Sequence, residues 1–194
     1  MSENKKPAPP NMILATCKIF GYAAGAFVAE RLFMGNVAPE ALMSAATITI
    51  PKMYGALFIT NAFMPSAVCL WMGFGIVGPA RRKYGVNLPT MYAVSLKEGD
   101  DAYKFNCCQR AHHNTLETLP LFLISSFLGG IKHPLLCVCC GLLWCYSRVV
   151  WAKGYATGVP KSRYSAFGAR HVWTALLIPI LCTFSAGLSI MGLL

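Results

Sequence analysis

Two stretches of the sequence, 53–80 and 172–194, contain no charged residue. An α-helix rises about 1.5 Å per residue. Either stretch is therefore long enough to cross a bilayer core of about 30 Å. Both are predicted to be membrane-spanning helices.

The composition of the whole chain agrees with this class. Of the 194 residues, 56% are hydrophobic and only 12% are charged, too few charges to cover a water-facing surface of this size. The net charge of +10 could suggest nucleic acid as a partner. However, the basic residues lie between the apolar segments, as they do in membrane proteins. The sequence therefore favours a polytopic membrane protein and no nucleic-acid partner.

Two further helices, at about 103–131 and 135–156, complete the predicted membrane domain. The loop 81–104 contains five Lys and Arg residues and the loop 152–170 contains four, whereas the turn between them has only Lys132. This bias predicts that the two basic loops face the cytosol. We predict an all-α integral membrane fold, a bundle of four transmembrane helices formed by residues 52–194.

Residues 1–51 form an N-terminal extension that is separate from this bundle. Its first ten residues are polar and proline-rich. The segment 12–33 is mostly apolar but contains Lys18, Glu30 and Arg31. An extra spanning helix, an amphipathic interfacial helix and a targeting segment all remain open for it.

The stretch 105–120 places polar and ionisable residues where the surrounding sequence predicts membrane. At about 100° per residue, six of them share one helix face about 140° wide: Asn106, Gln109, Arg110, His113, Asn114 and Glu117. A charge at the bilayer centre costs about 2.5–3.5 kcal/mol, so this stripe predicts a functional surface turned away from lipid. A helix at the interface and a structural pair of Arg110 with Glu117 in a poorly hydrated place are the alternatives.

Two other chemistries have only weak support. His113 and Glu117 are spaced like metal ligands on a helix, but a third ligand is missing. Gly73, Gly75 and Gly78 spell G-x-G-x-x-G without a preceding strand, so a dinucleotide site is not predicted. We expect no bound metal.

Arginines are predicted to gather at one membrane face, namely Arg81, Arg82, Arg110, Arg148 and Arg163. Their guanidinium groups match carboxylates, and Glu117 with Asn114 could hold an amine in the same cleft. The sequence thus predicts a small ligand with carboxylates and an ammonium group, beside a cavity open to lipid.

The segment FNCCQRAHHNTLETLPLFL, with ARRKYGV before it and GYATG-x-P-x-x-R after it, resembles the membrane-associated eicosanoid and glutathione metabolism (MAPEG) family. Within this family, the sequence is similar to the type 3 microsomal glutathione S-transferases, over about 52–194. The resemblance implies a homotrimer that binds glutathione between neighbouring subunits. It also implies glutathione conjugation, including leukotriene C4 formation, and glutathione-dependent reduction of lipid hydroperoxides. The expected location is the endoplasmic reticulum membrane with the active site toward the cytosol, or alternatively the mitochondrial outer membrane.

The resemblance also implies roles for individual residues. Arg163 would face the glutathione thiol, and Arg82 would lie near the lipophilic substrate, both as catalytic residues. The implied glutathione contacts are Arg81, Arg110, His112, Asn114, Glu117, Arg148, Trp151 and Tyr155. Thr118, Trp151 and His112 differ from leukotriene C4 synthases, which leaves the electrophile open.

Two other functions are weighed against this one. A non-enzymatic lipid-presenting protein of the same family is the main alternative, although the joint presence of Arg110, Asn114, Glu117 and Arg163 argues against it. An ion pathway would require membrane carboxylates on more than one helix, and only Glu117 is present. The expected partners are glutathione, a lipophilic electrophile or lipid hydroperoxide, and membrane lipid.

Overall fold

The computed structural model describes residues 50–94, 97, 99–190 and 193, together with positions 25, 28, 29 and 32. The chain divides into two compact units, Met1–Thr49 and Ile50–Leu194. In the first unit, the four described positions are helical. The other residues of segment 12–33, on which its three interpretations depend, lie outside the described residues.

The second unit is built from four helices, and its described part contains no strand. They are α1 (Lys52–Lys83), α2 (Asp101–Gly130), α3 (Pro134–Tyr155) and α4 (His171–Ile190), with a short 3₁₀ helix at Pro160–Tyr164. The predicted all-helical architecture is therefore confirmed. Helix α4 packs against α2 and α3, and α1 lies against the same two helices.

Three of these helices, α1, α3 and α4, are long and apolar enough to cross a membrane. Helix α2 is longer than α3 and α4, but the polar residues of its first half lower its hydropathy. The span is thus supported for three of the four predicted segments. For α2 it remains a prediction.

Helix α1 widens locally before each of its two prolines. The π-helical stretches Phe58–Phe63 and Met72–Val77 precede Pro65 and Pro79. Proline has no N–H and its ring crowds the carbonyl four residues back. A local π adjustment gives the displaced carbonyls other partners inside the helix, so α1 remains continuous over its full length.

The core between α2, α3 and α4 is centred on an aromatic pair. The rings of Phe122 and Trp144 are stacked with their centres 4.9 Å apart, and Val172 and Leu176 of α4 pack against them. Farther along, Gly129 of α2 lies directly against α4 beside Cys182. Small residues at helix interfaces allow this close approach in membrane proteins.

A buried amide connects α1 to α3. Asn61 is fully buried, and its Nδ2 donates to the carbonyl oxygen of Cys137 at 2.9 Å. One turn further along α3, Gly141 leaves room for the Asn61 side chain, because a Cβ at this position would collide with the Asn61 amide and would lie 2.7 Å from the Thr60 carbonyl oxygen. The contact between the two helices therefore depends on a glycine at position 141.

Gly141→Ala should lower the unfolding free energy by about 1–3 kcal/mol, the usual cost of overpacking a tight contact. Gly187→Ala in α4 is the matched control, since its new Cβ would meet no atom within 4 Å. Thermal unfolding in detergent compares the two variants with the parent. Equal midpoints for all three proteins would show that α1 and α3 do not depend on this contact.

Candidate functional site

A cleft opens where α1 and α3 end and where α2 and α4 begin. Its volume is about 180 Å³. Its wall comes from α2, α3, the 3₁₀ helix and α4, and consists of Arg110, Asn114, Trp151, Tyr155, Arg163, Tyr164 and Trp173.

Helix α2 contributes three hydrogen-bonded polar side chains, two of them charged, at one side of the cleft. Arg110 Nη1 donates to Glu117 Oε1 at 2.7 Å, and Asn114 Nδ2 donates to Glu117 Oε2 at 3.5 Å. The sequence analysis named a pair of Arg110 with Glu117 in a poorly hydrated place as an alternative, and the pair is present but half exposed in the protomer. Each of the two side chains is 45% exposed in the protomer, because this face of α2 looks into the open cleft.

Helix α3 forms the opposite wall. The rings of Trp151 and Tyr155 lie 5.2 Å apart and line the cleft. Arg148, one turn earlier, is fully buried behind them. Its Nη1 donates to Asn114 Oδ1 at 2.8 Å, and its Nη2 donates to Thr118 Oγ1. The structure therefore places Arg148 behind the cleft wall.

The 3₁₀ helix brings Arg163 back to α3. Gly158 turns the chain with a φ of +85°, and at Gly154 a Cβ would collide with the Ser162 backbone. Arg163 Nη1 donates to the Pro160 carbonyl oxygen at 3.0 Å. Its guanidinium carbon lies 5.4 Å from the Tyr155 ring centre, so Arg163 faces the cleft from above the aromatic wall.

Two residues of the cleft were missed by the sequence analysis. The centre of the Tyr164 ring lies 4.8 Å from the guanidinium carbon of Arg163. Trp173 Nε1 donates to the Tyr164 hydroxyl oxygen at 3.5 Å. Hydrogen bonds from Trp173 and then Arg163 hold the pKa of Tyr164 below its ordinary value. An aromatic residue after Arg163 and a tryptophan at the start of α4 resemble ordinary interface residues. Only the return of the 3₁₀ helix onto α3 brings them together.

Besides Arg148 and Glu117, three further predicted site residues lie outside the cleft wall. Arg81 Nη1 donates to the Thr90 carbonyl oxygen at 2.6 Å and to that of Val86 at 3.4 Å, so it supports the loop after α1. Arg82 is exposed at the end of α1. His112 is partly buried and contacts Gly73 of α1.

The predicted polar stripe of α2 is divided among several environments. Asn106 bonds both backbone groups of Ala93, accepting at 2.7 Å and donating at 2.8 Å, and His113 Nδ1 bonds the Tyr92 hydroxyl at 3.0 Å. Gln109 was predicted on the same face, but it is only 9% exposed, because it lies at the margin of the stripe next to the packed side of the helix. Of this stripe, only Arg110 and Asn114 line the cleft, and Glu117 lies next to it in contact with both.

A second cleft of about 200 Å³ adjoins the first and shares Arg110 and Tyr155 with it. Both are smaller than the roughly 300–1,000 Å³ of typical ligand pockets. The described residues contain no group of three His, Cys, Asp or Glu that could hold a metal ion. The chemistry offered is therefore recognition by two arginines, one carboxylate and aromatic faces.

The chain matches a known protein family over most of the helical unit. The model of the MAPEG family matches residues 59–183. This range begins in the first turns of α1, ends in α4 and contains every residue of the cleft. The match takes in well over half of the 194 residues, and the chain therefore belongs to the MAPEG family.

Proposed function

We propose that this protein is a membrane-bound glutathione transferase with glutathione peroxidase activity. It would join the glutathione thiolate to lipophilic electrophiles, as in leukotriene C4 formation, or reduce lipid hydroperoxides. The observation that carries the proposal is the cleft itself, which brings Arg110 and Arg163 into one lining beside apolar helices, with Glu117 paired to Arg110. Glutathione has two carboxylates, an ammonium group and a thiol. Arg110 would complement one carboxylate, Glu117 the ammonium group and Arg163 the thiolate.

Recognition is assigned to the helices. Arginine presents a planar fork of donors that matches a carboxylate, and Arg110 is in position to do this at the cleft. The Glu117 carboxylate can only accept hydrogen bonds, so it is suited to the ammonium group. Trp151 and Tyr155 supply flat apolar surfaces for the peptide part of the ligand.

Activation of the thiol is assigned to Arg163. A thiol has a pKa of about 8.5, so little of it is the reactive thiolate at neutral pH. Arginine stays protonated and cannot act as the base, but its charge stabilises the thiolate. Each unit of pKa lowering requires about 1.4 kcal/mol. The proton leaves to solvent, and the thiolate then attacks the electrophile.

The same thiolate can reduce a hydroperoxide. Its sulfur attacks a peroxide oxygen, the O–O bond breaks, and the lipid alcohol leaves after taking a proton. A second glutathione thiol then attacks the oxidised sulfur, which forms glutathione disulfide and releases water. Two glutathione molecules together supply the two electrons of the reduction.

We further propose a homotrimer in the endoplasmic reticulum membrane. A cleft of about 180 Å³ is small for a tripeptide, and a neighbouring subunit would supply the remaining contacts. Arg82, Lys83, Lys153 and Lys161 lie exposed at the same end of the bundle, where the positive-inside rule favours the cytosol. In the mitochondrial outer membrane the same face would also meet the cytosol.

The direct test is to purify the full chain in detergent and measure glutathione binding by calorimetry. Turnover is then measured with an aryl halide, an allylic lipid epoxide and a lipid hydroperoxide. Binding together with turnover of at least one substrate supports the proposal. A protein that binds lipid but neither binds nor consumes glutathione would instead be a lipid-presenting member of the family.

Arg110→Ala should weaken glutathione binding by about tenfold or more, because a hydrogen bond to a charged group is worth about 1.5–3 kcal/mol. The thermal midpoint should change little, since the pair is half exposed. Arg110→Lys should restore binding only in part, because lysine has no bidentate fork. Lys104→Ala is the control: it removes another ion-paired cation of α2, 3.2 Å from Asp101. Parental affinity in Arg110→Ala would exclude the assigned role.

Arg163→Ala should keep most of the glutathione affinity while losing most of the turnover and the ultraviolet absorbance of bound thiolate. The reason is that the recognition groups on α2 and α3 remain, whereas the cation near the sulfur is gone. Arg170→Ala is the matched control, because Arg170 also lies over the Tyr164 ring, at 6.0 Å. Unchanged thiolate absorbance in Arg163→Ala would move the role elsewhere, with Arg82 as the next candidate.

A further inference from the structure

Arg148 is a fully buried arginine in the middle of the protein. Its guanidinium carbon lies 5.2 Å from the Trp144 ring centre and 5.6 Å from that of Trp151. The two ion pairs of the described residues do not include it. A buried charge of this kind is costly unless hydrogen bonds satisfy it, so its polar contacts identify what it does.

Arg148 donates hydrogen bonds to two side-chain oxygens of α2. Arg148 Nη1 donates to Asn114 Oδ1 at 2.8 Å, and Nη2 donates to Thr118 Oγ1. The Thr118 hydroxyl can donate to two carbonyl oxygens of its own helix. The Asn114 carbonyl oxygen lies at 3.1 Å and the Thr115 carbonyl oxygen at 3.2 Å. Its hydrogen can therefore point to the backbone while its lone pairs accept from Arg148.

The contact with Asn114 determines which way that amide faces. Arginine has five donors and no acceptor. An asparagine beside it must therefore present its oxygen to Arg148 and its NH₂ group to the other side. In the structure, Asn114 Nδ2 points to Glu117 Oε2 at 3.5 Å, and Asn114 lines the cleft. The amide is thus held with its donors on the side of Glu117, away from Arg148, at a position that borders the cleft.

We propose that Arg148 is a positioning residue that holds Asn114 as a hydrogen-bond donor in the cleft. Building on the proposed function, Asn114 then binds a carboxylate or carbonyl oxygen of glutathione, and Glu117 alone receives the ammonium group. This differs from the sequence-based expectation, in which Asn114 and Glu117 together hold an amine. It also removes Arg148 from the residues that contact the ligand.

Asn114→Asp tests the orientation directly, because aspartate keeps an oxygen for Arg148 but replaces the NH₂ group with a second oxygen. The thermal midpoint should stay near that of the parent, since the carboxylate partner that Arg148 gains offsets the repulsion between the new carboxylate and that of Glu117. Glutathione affinity should fall by about tenfold or more, equivalent to about 1.4 kcal/mol per factor of ten. If the Asn114 oxygen received the ammonium instead, Asn114→Asp would bind glutathione more tightly, which would overturn the proposal.

Arg148→Met tests the positioning step. Without Arg148 the Asn114 amide can rotate, so glutathione affinity should fall although no ligand contact has been removed. Arg148→Lys should recover only part of the loss, because one ammonium cannot reproduce the fork that reaches both Asn114 and Thr118. Lys153→Met is the matched control, an exposed cation on the same helix, and should bind like the parent. Parental affinity in Arg148→Met would contradict the assigned role.

A double-mutant cycle keeps the test independent of glutathione. Asn114→Asp should be tolerated when Arg148 is present, but should lower the thermal midpoint in the Arg148→Met background, where the new carboxylate has lost its partner. If the effects of the two substitutions on the thermal midpoint were additive, the contact between Arg148 and Asn114 would be excluded.

If the parent does not bind glutathione, the proposed function fails, while coupling between positions 114 and 148 would still support the positioning role. If Arg148→Met does not fold, the single variant Asn114→Asp still decides the orientation through the sign of its effect on binding.

Discussion

The hydrogen bond from Arg148 to Asn114 is the contact on which the cleft depends. It joins α3 to α2 inside an apolar bundle, at 2.8 Å, where a charge without partners would be strongly disfavoured. Two indole faces and two α2 oxygens contact the guanidinium and offset part of the cost of its burial, although its buried Nε has no hydrogen-bond partner among the described residues. Because Asn114 and Thr118 are one turn apart, the contact also fixes the rotation of α2 relative to α3. Arg110 and Glu117 are thereby held beside Trp151 and Tyr155.

The remaining cation of the cleft comes from a different kind of structure. Arg163 lies on a 3₁₀ helix that can approach α3 only because Gly154 has no side chain and Gly158 takes a positive φ. Its position is stabilised by one carbonyl contact and by the rings of Tyr155 and Tyr164. In the proposed function, recognition and activation are thus divided between packed helices and a connecting segment.

The sequence predicted the helices well because their signals are local. Apolar stretches and charged stops placed all four within a few residues of their observed ends, and helical periodicity brought Arg110, Asn114 and Glu117 to one face. Periodicity gives the face of a helix but not the neighbour that covers it. For this reason Gln109 was expected in the polar stripe but is buried. Arg81 was likewise expected near a ligand, whereas it bonds the carbonyl groups of the loop after α1. Tyr164 and Trp173 were missed because only the path of the chain after α3 brings them to the cleft.

The division between helices and loop has a chemical consequence within the MAPEG fold. A buried network such as that of Arg148 tolerates few changes, since each removed partner leaves an unsatisfied polar group. Arg163 is held by one carbonyl hydrogen bond and two tyrosine rings, and it lies outside the membrane-spanning helices. In the proposed function, substitutions there would change the charge near the thiol without disturbing the groups assigned to the peptide part of glutathione. Ligand binding and catalytic activity can therefore vary separately on the same helices, which gives a physical reason why a single fold can support both enzymes and lipid-presenting proteins.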